Sequence, residues 1–108
     1  MKLIIAIIQD DDVRNTIDNL KDEGFFVTKL SSSGGFLKVG NTTLLIGVED
    51  ILVEKAIKIF EKCCKSRKEI TNIEAPYGGI QGYISSPIEI NVGGATIFVV
   101  DVEQFKKF

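Results

Sequence analysis

An α+β fold, with two helices laid on one face of a sheet, is predicted by three features of the sequence. Apolar residues run almost without interruption through 3–8 and 95–100, as strands inside a sheet require. Two further segments, beginning at Asp10 and Asp50, repeat their apolar residues at helical spacing. Glycine, asparagine and serine collect between these segments, where the chain must turn.

The elements follow in order. Residues 3–8 are a central strand. Asp10, Asp11 and Asp12 then open a helix, where carboxylates suit the positive end of the helix dipole. Val13, Ile17 and Leu20 form its buried stripe, and Gly24 ends it. Residues 25–30 read as a second strand, 31–35 as a loop and 36–39 as briefly extended. Gly40-Asn41 is a turn, and residues 42–48 are a third strand. The second helix runs over 50–64 with Leu52, Ala56, Ile59, Phe60 and Cys63 on one face. Residues 67–75 are weakly strand-like and 76–83 are a loop. The last two strands, 88–92 and 95–102, are expected to form a hairpin around Gly93-Gly94. Two split β-α-β units of this kind make a ferredoxin-like β-α-β-β-α-β sandwich with an additional C-terminal strand.

The 108 residues are expected to form a single domain, 1–108, with one core of ordinary size. Thirteen basic against fifteen acidic residues disfavour DNA or RNA as a partner, since such binding rests on a basic surface. No run approaches 18 apolar residues, so no membrane insertion is expected. Residues 2–8 lead into Gln9-Asp10-Asp11-Asp12 rather than a cleavage site, and read as a strand, not a leader. Histidine is absent, which removes the commonest general base and the usual partner of a nucleophilic Ser or Cys. The only cysteines, Cys63 and Cys64, lack the spacing of a zinc site. One is expected to face the core and the other outward, in a cytoplasmic protein.

Two helices can cover only one sheet face, yet residues 42–46 and 95–100 are apolar on both. Self-association is therefore expected to bury the second face. The densest polar chemistry lies in 28–43, which brings together hydroxyls, an amide, two lysines and glycines beside Phe36 and Leu37. It lacks the Gly-Lys-Ser/Thr ending of a Walker A loop. A plain hairpin explains its glycines and Asn41, whereas aromatic and apolar groups beside polar donors suit a nucleobase with its phosphates. The acidic triplet after the first strand reads as helix compensation rather than a cation site. It also disfavours an acylphosphatase-type hydrolase, whose phosphate loop lies there.

The runs Leu3-Ile4-Ile5-Ala6-Ile7-Ile8-Gln9-Asp10, Thr28-Lys29-Leu30, Gly34-Gly35-Phe36-Leu37, Gly40-Asn41-Thr42-Thr43 and Val92-Gly93-Gly94-Ala95-Thr96-Ile97-Phe98-Val99 resemble the PII-like cyclic-di-AMP receptor family. The resemblance extends to Gln104-Phe105 and Phe108. It implies a cytoplasmic homotrimer without catalytic activity or cofactor, binding cyclic di-AMP in clefts between subunits. In such a receptor, binding is expected to order the loops around Gly34-Gly35 and Gly78-Gly79, which belong to the low-stability parts of a fold, and to present a changed surface to a downstream protein partner. Carried over by position, Thr28 and Asn41 make polar contacts to the ligand. Gly35, Phe36 and Leu37 shape an adenine pocket, Gly47 allows close approach, and Phe98 supplies an aromatic wall. Thr28 and Asn41 have a structural alternative as strand-edge and turn residues, and Phe98 as core.

One departure bears on the ligand. Many members carry an arginine where this chain has Phe26. Loss of that guanidinium from a phosphate costs about 1.5–3 kcal/mol where the contact is desolvated. That is roughly a tenfold to hundredfold weakening, unless a lysine such as Lys29, Lys38 or Lys107 compensates. The alternative is a PII-like trimeric regulator or interaction module that binds another adenine nucleotide, or none.

Overall fold

The computed structural model describes residues 1–30, 40–74 and 85–108. The expected loops at 31–35 and 76–83, and the extended stretch at 36–39, lie outside the described residues. The elements are β1 (Lys2–Gln9), α1 (Asp10–Asp22), β2 (Thr28–Leu30), β3 (Asn41–Val48), a 3-10 turn (Asp50–Leu52), α2 (Val53–Cys64), β4 (Arg67–Glu74), β5 (Ser85–Val92) and β6 (Ala95–Asp101).

β1 lies inside a four-stranded antiparallel sheet of order β2-β3-β1-β6. Its alternation decides the packing. Ile4, Ala6 and Ile8 are buried, and across the ladder they oppose Ile46, Leu44 and Thr42 of β3. Side chains on alternate residues share a face, so this is the side that meets the helices. Val13 and Leu20 of α1 and Ala56, Phe60, Cys63 and Cys64 of α2 complete the core against it. Two helices, one covered face and an antiparallel sheet are consistent with a small ferredoxin-like fold.

α1 ends as Gly24 directs. Phe25 N–H donates to the Leu20 carbonyl and Gly24 N–H to the Lys21 carbonyl, both at 2.9 Å, with Gly24 at φ +88°. This is the Schellman arrangement, and it drops Phe25 into the core beside Leu20. The second strand is accordingly shorter than expected, because residues 25–27 are spent on that descent.

The structure corrects the sequence reading in three further places. The hairpin expected around Gly93-Gly94 is not formed. β5 pairs with β4, whereas β6 crosses to the free edge of β1, where Ile97 packs against the core. The extra strands are thus an inserted ribbon, β4-β5, ahead of the last sheet strand rather than an addition after it. β6 gains more at β1 than beside β5, since there it pairs its backbone and buries Ile97 together. The glycines still need positive φ, +82° and +89°, but they turn the chain between two sheets.

The three aspartates occupy the first turn of α1, as expected, behind an N-cap, Gln9, whose side chain makes no capping bond. Leu52, expected on the buried face of the second helix, belongs to the 3-10 turn. The tighter winding moves it off the stripe, leaving it 38% exposed. Finally, both cysteines are buried and free, not one in and one out. Cys64 Sγ lies 3.2 Å from Thr16 Oγ1 on α1. Burial raises both thiol pKa values.

Two outcomes follow. Each thiol is slow to react with a disulfide reagent at pH 8 in the native state and fast in denaturant; rapid native labelling of either would contradict the packing. A Cβ on Gly93 would stand 2.5 Å from Arg67 Nη1 and 2.7 Å from the Lys65 carbonyl oxygen. Gly93→Ala should therefore cost about 1–3 kcal/mol in denaturant melts. An unchanged midpoint would show that the turn is not as described.

Candidate functional site

The second face of the sheet is set by the odd-numbered residues of β1. Leu3, Ile5 and Ile7 oppose Gly47, Leu45 and Thr43 on β3, and Val100, Phe98 and Thr96 on β6. On β2, Thr28 opposes Leu45 and Leu30 opposes Thr43, which puts both on the same face. No helix of the described residues covers it. Leu30, Phe98 and Val100 are 43%, 52% and 41% exposed, and Leu3, Ile5, Ile7 and Leu45 are half-buried. The face is a continuous apolar surface bordered by hydroxyl and amide groups.

All four described residues expected to contact a ligand, Thr28, Asn41, Gly47 and Phe98, belong to this face by register. They do not converge on one point. Thr28 and Gly47 are diagonal neighbours across the β2–β3 ladder, roughly 7–8 Å apart in such geometry. Asn41 is opposite Gln9 at the other end of β3, six residues from Gly47 and so about 20 Å away. Phe98 lies in one cross-strand row with Thr28, in the order Thr28–Leu45–Ile5–Phe98. Three strand spacings separate the ends of that row by about 14 Å. Phe98 is thus a surface residue of the protomer rather than core. Gly35, Phe36 and Leu37 lie outside the described residues.

The electrostatics of the β2 edge differ from the sequence expectation. Lys29 opposes buried Leu44 and therefore stands on the helix-facing side. There it lines a depression with Asp10, Arg14 and Asp18, away from Thr28. Lys107 is exposed in the C-terminal segment, and Lys38 lies outside the described residues. The cation that shares a depression with Phe26 and Thr28 is Lys21, from the last turn of α1. That depression measures about 540 Å³ and is completed by Gly24, Phe25 and Val27. Phe26 itself is 90% exposed. Sequence reasoning missed Lys21 because its proximity depends on the Schellman turn. It also missed Ile5 and Leu45 as the apolar floor between the polar edge and Phe98, although the period of two in β1 and β3 contained that signal.

Among the described residues, no three His, Cys, Asp or Glu side chains gather as a metal site. No helix among them is long and apolar enough to cross a membrane. A sheet face with polar groups on one edge and an aromatic on the other is suited to binding a flat, partly apolar ligand rather than to acid–base chemistry.

Comparison with known proteins gives the class a family. The model of the cyclic-di-AMP receptor family matches residues 1–108, and the chain belongs to that family. Its members are receptors for the nucleotide. The chain is also similar to a crystal structure of a functionally unknown protein from Pediococcus pentosaceus ATCC 25745. The two are 41% identical, with a TM-score of 0.77, over 99% of this chain and 96% of the other.

Gly47 offers a clean test of the face. A Cβ there would meet only Met1 Cε, at 3.4 Å, which is ordinary contact. Gly47→Ala should keep the far-UV circular dichroism and thermal midpoint of the parent while weakening ligand binding. Loss of fold would assign the glycine to packing instead.

Proposed function

We propose that residues 1–108 act as one PII-like domain of a non-enzymatic cytoplasmic receptor. It binds cyclic di-AMP at the subunit interfaces of a homotrimer and relays binding to a protein partner through its loops. The observation that carries this reading is the row Thr28–Leu45–Ile5–Phe98 on an uncovered apolar face. On one protomer its polar and aromatic ends are separated by the apolar floor. A ligand held between two copies can meet the Thr28 edge of one and the Phe98 edge of the next. The same arrangement buries the floor, so oligomerisation and site formation are one event.

In this mechanism Thr28 and Asn41 donate to phosphate or base edges. The segment containing Gly35, Phe36 and Leu37 encloses an adenine, and Phe98 supplies a flat wall for it. Gly47 leaves room on the floor. Lys21 provides positive charge near Thr28, beside Phe26 in the position of the family arginine.

A second reading is favoured by Phe26, whose exposed ring replaces a phosphate-binding guanidinium. In it the trimer recognises another adenine nucleotide, or serves as an interaction module without one. Isothermal titration with cyclic di-AMP, cyclic di-GMP and ATP separates the two. The receptor reading predicts saturable, selective cyclic di-AMP binding at one ligand per subunit. Tighter binding of ATP, or no heat with any of the three, would favour the second reading.

Two variants refine the test. Asn41→Ala should weaken binding and leave the assembly intact; unchanged affinity would remove Asn41 from the site. Phe26→Arg should strengthen cyclic di-AMP binding about tenfold to hundredfold, by restoring a charge-assisted bond. No gain would show that the ligand phosphates do not approach this edge.

A further inference from the structure

The acidic corner between β1 and α1 is not explained by helix compensation alone. Its residues hold two separate parts of the chain. On one side, Asp10 N–H donates to the Gly40 carbonyl at 2.8 Å, and Thr42 Oγ1 donates to the Asp10 carboxylate. These bonds flank Asn41, which opposes Gln9 across the β1–β3 ladder. On the other side, Gln9 Oε1 accepts from Gly93 N–H at 2.6 Å. Asp12, only 7% exposed, accepts from both terminal nitrogens of Arg67, at 2.9 and 3.4 Å.

Arg67 and Gly93 are the two roots of the β4-β5 ribbon. Among the described residues, ribbon and main sheet share no strand pairing, so its attitude depends on what grips those roots. Arg67 Nη1 also donates to the Lys65 carbonyl at 3.2 Å, and Gly94 N–H donates to the Cys64 carbonyl. A two-stranded ribbon alone is marginal in water, and Ile70 on this one is 76% exposed. Gly93 and Gly94, both at positive φ, turn the chain where it leaves the ribbon for β6.

We infer that Gln9, Asp10 and Asp12 are positioning residues that couple ligand occupancy beside Asn41 to the orientation of the β4-β5 ribbon. The inference rests on the receptor reading, and it supplies the route by which that site is read out. Any shift of residues 40–42 on binding acts on Gln9 and Asp10 directly. The same short corner then moves its grip on Arg67 and Gly93. Three residues within one four-residue stretch, with two sets of bonds, thus join the site to the ribbon without passing through the core.

The test is hydrogen–deuterium exchange of the full chain, with and without saturating cyclic di-AMP. The parent, Gln9→Ala, Asp12→Asn and the exposed control Asp11→Asn are compared, and calorimetry establishes occupancy of each. In the parent and the control, ligand should change exchange both at 40–45 and in 67–70 and 87–92. In Gln9→Ala and Asp12→Asn the change at 40–45 should remain and the ribbon change should be lost. A full ribbon response in both of these folded, ligand-bound variants would overturn the coupling while leaving the receptor reading intact. So would a parent that binds without any ribbon response. A parent that does not bind cyclic di-AMP overturns the receptor reading, and the coupling with it. Should one variant fail to fold, the other decides.

Discussion

A single alternation, that of β1, organises the molecule. Because β1 pairs with β3 on one edge and β6 on the other, its side chains must find burial above and below the sheet. Ile4, Ala6 and Ile8 find it beneath the helices, and Leu3, Ile5 and Ile7 are left half-buried among the described residues. A one-residue slip would exchange the two sets, so the helix-facing core and the open face are fixed by one register. Thr28, Gly47 and Phe98 inherit their common face from it. An apolar face of this extent is unfavourable in water and is most simply covered by further copies of the chain.

In the proposed receptor, ligand recognition is a property of the sheet's edges. β2 is short and exposed and brings Thr28, whereas β6 brings Phe98 on the opposite edge. The apolar floor between them is too continuous to be a polar pocket and too exposed to be a finished core. Its composition suits contact with another protomer. Membership of the cyclic-di-AMP receptor family gives the ligand class, and in the proposed assembly the two edges of neighbouring copies share the nucleotide.

Much of this was legible from the residues. The continuous apolar run at 3–8, the stripe Val13, Ile17 and Leu20, and the stop at Gly24 each depend on local chemistry, and the structure reproduces them. The open face was legible because two helices cannot cover both sides of strands that are apolar throughout. The pairing of β6 was not. Gly93-Gly94 has the conformations of a tight turn, yet the partner of β6 is decided by an unpaired edge more than eighty residues earlier in the chain. The depth of Leu52 was hidden for a related reason, since a 3-10 turn shifts the helical phase by a fraction of a turn, and Cys64 is buried because it packs against Thr16 of α1, a contact 48 residues away in the chain. At the site, Thr28, Asn41, Gly47 and Phe98 could be named through family resemblance, but not their separation along and across the sheet. Lys21 was invisible, because only the folded path of residues 22–27 returns it to Phe26 and Thr28.

The central claim is that the open sheet face is completed by other copies of the chain, and sedimentation equilibrium tests it most directly. The account predicts one species of three times 11.9 kDa over a wide concentration range. It also predicts that Ile5→Lys, on the open face between Leu45 and Phe98, dissociates that species into folded protomers. A parent that sediments as a monomer at all concentrations would contradict it.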